Sequence, residues 1–354
     1  MLLLTGASGE LGGLLVDRFL REQVALCLLT HHKEPRQVSE NEVEICHGDI
    51  TRPRLGLSAA VHRRLLGRVT AILHCAATTS FSASEAEADR VNVMGTKHVI
   101  AFARACGKLQ KVGVLSTVYV AGRRKGAILE RDLIHRAGFV NAYERSKYRM
   151  EQYLRKQHSL PIAVYRLSTI LGDARTGRVS KLNAVHHALR LYHRGLVSMI
   201  PGEPRSTVDL ISSDYAAEAV FHLFYRRFGA GKTYHIVAGQ KQSLTLENFL
   251  ETTAATFERL DPRWTSRAVA VPPIVSLNTY RLMEQAVLES RNSVLGNVVR
   301  MMGTFAPHLA YSKDFSDRNT ARALSGSGIR PRPLQEYYSG IIRDCLSTSW
   351  GSRN

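Results

Sequence analysis

The chain begins LLLTGASGELGG: a short apolar run, then Gly6-x-x-Gly9-x-x-Gly12, then an amphipathic stretch of helical period. Few local patterns restrict a fold as tightly. A strand that turns through glycines straight into a helix brings backbone N–H groups and the helix N-terminus close to an anionic ligand, and a side chain in the turn would block that approach. The spacing departs from G-x-G-x-x-G, but the strand before it and the helix after it are the context such a turn requires. Gly6, Ser8, Gly9, Glu10, Leu11 and Gly12 are therefore expected to line a pyrophosphate.

Short apolar runs then alternate with helical patterns through the first half. The expected strands are Leu2–Thr5, Ala25–Thr30, Val43–His47, Ala71–Cys75, Val112–Ser116 and Ile162–Leu167, with a seventh at Thr233–Val237. Between them, Leu11–Arg21, Ser58–Leu66, Glu85–Cys106 and Tyr143–Gln157 read as helices. This alternation predicts an α/β fold, a Rossmann-type doubly wound parallel sheet with a smaller C-terminal substrate-binding lobe. Residues 1–170 are expected to form the dinucleotide-binding domain, completed by about 212–240. Residues 171–211 and 241–354 are expected to form the lobe. The stretch SLNTYRLMEQAVLESRNSVLGNVVRMMGTF reads as a lobe or lid helix rather than one lying on a membrane.

The composition excludes several function classes. No apolar run is long enough to span a bilayer. MLLLTGASGE lacks a basic n-region, so Leu2–Leu4 read as a buried strand rather than a secretory signal, and a cytoplasmic location is expected. The five cysteines, Cys27, Cys46, Cys75, Cys106 and Cys345, form no C-x-x-C pair and read as reduced core residues. His31-His32 and His186-His187 have no third partner at ligand spacing, so no metal site is expected. GAGK at 229–232 is no P-loop, because it precedes a strand and lacks the following Ser. The formal net charge of +18 attracts polyanions. The basic residues are scattered, however, and no aromatic stacking platform interleaves them, which argues against nucleic acid and for an anionic cofactor and an acidic partner.

The second strand runs into Thr30-His31-His32-Lys33, where an NAD site would place a carboxylate for the adenosine ribose. Without that acid, His31 and Lys33 are candidates for neutralising a 2′-phosphate, and NADPH is the expected cofactor. Tyr143 and Lys147 in NAYERSKYRM lie one turn apart on the helix after the fifth strand, which itself ends in VLSTVYVAG. Holding an ordinary phenol ionised at pH 7 costs on the order of 4 kcal/mol. An ammonium ~4 Å away supplies roughly that much at an effective dielectric of 20. Lys147 is thus expected to make Tyr143 a usable proton donor or acceptor near neutral pH, with the Thr117 hydroxyl holding a substrate carbonyl beside it.

In this order the motifs resemble those of extended short-chain dehydrogenase/reductases. The glycine turn, GDI at 48–50, HCAA at 74–77, VNVMGT at 91–96, LSTVYVAG and YERSK carry the likeness over most of residues 1–170. GDITRPRLGLS, STVYVAGRRKG, ILGDARTG, PGEPRSTVDLISSDYAAEAV and KTYHIVAG are similar to segments of the thioester-reductase branch. That branch includes carboxylic acid reductase and nonribosomal peptide synthetase reductase domains and, more distantly, fatty acyl-CoA reductases. The resemblance implies Thr117, Tyr143 and Lys147 as catalytic residues. It places Asp49 and Ile50 at the adenine, Ala76, Ala77 and Thr78 along the cofactor, and Ile170 on its far wall. Lys147 is also implied to bond the nicotinamide ribose, and Asn92 to support the site. Leu167 stands where the family usually has proline.

The implied reaction is hydride transfer from NADPH to an acyl thioester carried on coenzyme A or an acyl carrier protein. Arg123, Arg124, Lys125 and Arg175 are candidate docking residues. Two alternatives stay open: a ketone or sterol-type dehydrogenase or sugar-nucleotide epimerase of the same superfamily, and a non-catalytic dinucleotide-sensing protein.

Overall fold

The computed structural model describes residues 1–31, 43–267 and 269–351. Seven strands form one parallel sheet: β1 (Leu2–Thr5), β2 (Leu26–Thr30), β3 (Val43–His47), β4 (Ala71–His74), β5 (Lys111–Thr117), β6 (Ile162–Leu167) and β7 (Thr233–Ile236). Their spatial order is β7-β6-β5-β4-β1-β2-β3. The order reverses at β1, and the crevice at such a switch point, above the strands' C-terminal ends, is where doubly wound sheets bind ligands.

Burial on both faces explains the near-continuous apolar strands. Leu2 and Leu4 of β1 face a layer containing Leu15 and Phe19 of α1 (Glu10–Arg21) and Val220 and Phe224 of the 213–226 helical segment. Leu3 faces the opposite layer, where it meets α2 (Ala59–Arg68), α3 (Gly95–Ala105) and α4 (Ala142–Arg155) through Leu65, Val99 and Met150. Each large apolar side chain removed from water in these layers contributes roughly 1.5–3 kcal/mol.

One expected helix is interrupted. Glu85–Cys106 reads as continuous in the sequence, but Asp89–Met94 forms a π-helical turn between a short helix at Glu85–Ala88 and α3. The extra residue in such a turn re-aims the side chains it carries.

The remaining chain has its own apolar clusters. One gathers Leu189, Phe249, Phe257, Trp264, Tyr338 and Ile341, and another Tyr280, Val298, Met302 and Phe305. The expected lid helix is two helices, Leu277–Glu289 and Ser293–Gly303, broken where Arg291 takes φ +55°. A two-stranded parallel pair, Gly126–Ile128 with Lys313–Phe315, ties the end of this region to the loop after β5. That pairing brings residues 313–315 alongside the segment that follows β5.

Candidate active site

The glycine turn is shaped by close approach. Gly6 takes φ +78°, and a Cβ there would lie 2.5 Å from the Ala76 nitrogen at the end of β4. A Cβ on Gly12 would lie 2.0 Å from the Gly6 carbonyl oxygen, so α1 packs on the turn only without a side chain at that position. Gly9 caps α1 with no side-chain bond. First-turn N–H groups then face the crevice together with the positive end of the helix dipole, a cradle suited to a diphosphate.

At the ends of β2 and β3, Asp49 is held on several sides. Its Oδ1 accepts from the Thr51 N–H and hydroxyl, both at 2.8 Å, while Oδ2 lies 3.6 Å from His31 Nε2 and 3.5 Å from Arg52 Nε. Burial raises its pKa, but these donors outweigh that effect and hold it below the usual carboxylate range. His31 and Asp49 are thus neighbours, as two residues of one adenosine pocket should be. Arg52 completes the corner. The sequence reading missed it, although GDITR places it three residues after the aspartate. Lys33 lies outside the described residues. The Ile50 carbonyl is 2.9 Å from His98 Nδ1.

The end of β4 is fixed by a chain of hydrogen bonds whose directions can be assigned. Thr96 donates to the Asn92 carbonyl at 2.7 Å and so accepts from His74 Nε2 at 3.0 Å. His74 Nδ1 is then an acceptor, and Thr5 donates to it at 2.7 Å while accepting from the Ala76 N–H at 3.2 Å. Burial, with the Lys147 charge adding, pushes His74 down to about 3, in keeping with this neutral tautomer. Asn92, buried in the π turn, clamps Thr78 twice: its Oδ1 accepts the Thr78 N–H at 3.0 Å and its Nδ2 donates to the Thr78 carbonyl at 3.1 Å. The same Nδ2 donates to Ser146 of α4 at 2.8 Å. Ala76, Ala77 and Thr78 are thereby tied to the helix carrying Tyr143, and Asn92 acts as a positioning residue.

On α4, Tyr143, Lys147 and Glu151 recur every fourth residue and form one buried stripe facing β5. The Thr117 hydroxyl lies beside the Tyr143 phenol and favours its ionised form. Thr117 also donates to the Leu167 carbonyl at 3.3 Å and accepts from the Tyr119 N–H at 3.2 Å. Lys147 donates to the Leu115 carbonyl at 3.0 Å. Ser116, one residue from Thr117, points to the opposite face and donates to Glu151 at 2.6 Å.

The electrostatics differ from the expected sign. Burial pushes the Tyr143 phenol well above its ordinary value, with Thr117 opposing and the Glu144 charge adding. Burial pushes Lys147 down to about 8, against the pull of Glu151. The expectation that Lys147 acidifies the phenol is therefore not met in this structure, because both groups are withdrawn from water and the ammonium is spent on a carbonyl. A phenol held protonated is nevertheless the form that a proton donor needs.

Ile170 lies on the Thr169–Gly172 strand, its carbonyl accepting from Asn183 at 2.6 Å. Three of the four candidate docking residues meet a carboxylate: Arg124 with Asp132 at 3.1 Å, Lys125 with Glu203 at 3.5 Å and Arg175 with Asp173 at 3.6 Å. Among the described residues one trio, Cys27, Glu44 and Cys46, lies close enough to share a metal ion. Its carboxylate is already taken by Arg64 at 2.7 Å and Arg68 at 2.8 Å, and its sulfurs meet each other at 3.5 Å. No helix among the described residues is long and apolar enough to cross a membrane.

Comparison with known proteins agrees with this fold. The model of the family described as male sterility protein, an NAD-binding family, matches residues 28–220, more than half of the chain. A linear gramicidin synthase polypeptide of Brevibacillus parabrevis is 26% identical over 261 residues, which is 66% of this chain and 5% of that protein. Fatty acyl-CoA reductase 1 of Gallus gallus is 27% identical over 148 residues, 35% of this chain and 29% of that protein. The chain thus spans a small part of each of these two curated relatives. Among solved structures, the terminal R domain from the myxalamid PKS-NRPS biosynthetic pathway superposes with a TM-score of 0.81 at 22% identity, covering 99% of this chain and 91% of that one. The superposition establishes the Rossmann-like α/β fold.

Proposed function

The chain belongs to the male sterility protein family, and from that premise we propose that it is an NADPH-dependent reductase of acyl thioesters. The observation that carries this reading is the buried pairing of the Thr117 hydroxyl with the Tyr143 phenol, with Lys147 one turn along, at the C-terminal end of β5. Bound in the crevice, NADPH would supply the hydride. Gly6, Ser8, Gly9, Glu10, Leu11 and Gly12 would hold its diphosphate, and Asp49, Ile50, Ala76, Ala77, Thr78 and Ile170 would line its length.

This chain's own groups handle the oxygen of the substrate. Thr117 and Tyr143 bond the thioester carbonyl and stabilise the charge that develops on it. Tyr143, protonated at neutral pH, gives its proton to that oxygen. The resulting hemithioacetal collapses to an aldehyde and a free thiol; the product is the aldehyde or, after a second hydride transfer, the alcohol. The Lys147 charge keeps the crevice receptive to an anionic cofactor. Preference for NADPH over NADH rests on His31 at the end of β2 and Arg52 after β3, two basic groups beside Asp49 that a 2′-phosphate would engage.

The thiol carrier, a phosphopantetheine arm of coenzyme A or of an acyl carrier protein, is anionic, and a chain of charge +18 gains encounter rate with either. The fatty acyl-CoA reductase among the relatives supports a thioester substrate over a ketone. Incubation with NADPH and a panel of acyl-CoA and acyl-carrier thioesters tests the reading: NADPH oxidation matched by thiol release is expected. Turnover of ketones or sugar nucleotides alone would overturn it.

A further inference from the structure

We propose that His308 is a positioning residue for the chemistry at Tyr143, clamping the 304–311 segment onto the first turn of α4 through Glu144 and Asn141. Its activity arm rests on the reductase reading above; its structural arm does not.

Glu144 follows Tyr143 directly and is fully buried. Its Oε2 accepts the Val140 N–H at 2.9 Å, and its Oε1 lies 3.0 Å from His308 Nδ1. A buried carboxylate needs such compensation. The ring's other nitrogen is also engaged. Asn141 caps α4, its Oδ1 accepting the Glu144 N–H at 3.1 Å, which leaves its Nδ2 to donate to the Thr304 carbonyl and to His308 Nε2, both at 3.3 Å. Nε2 is therefore an acceptor, and Nδ1 lies within ion-pair distance of Glu144 Oε1, although neither Nδ1 nor Oε1 completes a hydrogen bond. A single imidazole reads two groups on the catalytic helix in one tautomer, from a point 164 residues further along the chain than Glu144.

The ring does more than hold the helix. His308 packs on Tyr119 with centroids 4.9 Å apart and on Phe81 at 5.8 Å, while Phe81 lies 5.5 Å from Tyr143. Tyr119 is held in turn by Thr169 at 2.9 Å. Phe81, Tyr119 and His308 thus form an aromatic wall beside the phenol, with residue 308 supplied from outside the sheet. The strand pairing of 126–128 with 313–315 fixes this return of the chain from the other end, with Gly126 N–H donating to the Ser312 carbonyl at 2.9 Å. Burial pushes the Lys313 ammonium down to about 8 against the pull of the Glu144 charge, with the Lys125 charge adding to the lowering.

Displacing the wall by about an ångström costs up to about 10²-fold in a reaction that depends on alignment. For His308→Leu we expect kcat with a thioester to fall between about 10-fold and 10²-fold, KM for the acceptor to rise, and NADPH affinity to stay within about twofold. His308→Asn, which keeps a donor toward Glu144, should recover most of kcat. Hydrogen exchange at the Val140 and Glu144 amides should quicken in the Leu variant. Unchanged exchange at those amides overturns the proposal whatever the kinetics. Faster exchange with wild-type kcat and KM also overturns it, reducing His308 to a packing residue. The same variants are assayed with an aldehyde acceptor: turnover of the aldehyde but no thioester would sink the thioester reading, and the aldehyde kinetics would then judge His308.

Discussion

Ser116 and Thr117 are neighbours on β5, yet they enter two unlike buried polar networks. Behind the strand, Ser116 joins Glu151, whose carboxylate takes Arg166 through Nε at 3.0 and 3.1 Å and through Nη2 at 2.7 Å. Arg166 also donates to the Glu130 carbonyl at 3.3 Å and to His235 Nε2 at 3.1 Å, and burial with that charge pushes His235 down to about 3. Glu130 in turn accepts from the backbones of His235, Asn319 and Thr320. Nearly every charge there has its partner. Toward the start of α4, on the same stripe as Glu151 but level with the end of the strand, Lys147 has a carbonyl but no bonded carboxylate, and the Tyr143 phenol sits beside the Thr117 hydroxyl. A saturated network holds a fold together, whereas buried groups with bonding capacity left over are poised to engage a ligand.

The sharpest break of this contrast comes from Tyr143→Phe. Turnover should fall by about 10²–10⁴-fold while stability moves by less than about 1 kcal/mol, read by NADPH oxidation and by denaturant unfolding. A large loss of stability with turnover intact would erase the distinction. The rear network predicts the reverse for Arg166→Met: removing one partner strands Glu151 and should cost about 3–5 kcal/mol in urea unfolding. A cost below about 1 kcal/mol would show that the rear network is not the structural one.

Lys147 sharpens the comparison through pH. Its folded pKa lies near 8, below the 10.5 of the free side chain. Below pH 8 it is charged in both states, and the burial penalty is constant. From about 8 to 10.5 the unfolded chain binds more protons, so stability should rise with pH by up to about 3 kcal/mol relative to Lys147→Met. Parallel stability curves for the two proteins across that window would contradict the buried ammonium. The smallest effect is expected at Ser116→Ala, about 1 kcal/mol of stability with turnover unchanged, since Glu151 keeps Arg166. Loss of turnover there would move Ser116 to the front of the strand.

Much of the fold could be read before the coordinates because its signals are local. All seven sheet strands follow from apolar runs, and the triplet of glycines marks the turn that Gly6 and Gly12 make in space. Choosing Thr117 over Ser116 rested on family alignment, and the strand's alternation gives the physical reason: one of two adjacent side chains must face away. The π turn escaped detection because Glu85–Cys106 keeps helical periodicity on either side of it. Arg52 and His308 were missed for different reasons. Arg52 sits in a motif read only for its aspartate, whereas His308 lies in a segment with no signature, brought to Glu144 by a strand pair of three residues.

By itself the sequence determined where backbone can approach an anion, which runs become strands, and that Tyr143 and Lys147 share a helix face, since steric and periodic constraints act within a few residues. Tertiary structure alone decided which groups lose their water. Burial raised the Tyr143 phenol where the sequence reading expected Lys147 to lower it, and the same packing set His308 against Glu144. Desolvation depends on everything packed around a group, and most of those neighbours are far away along the chain.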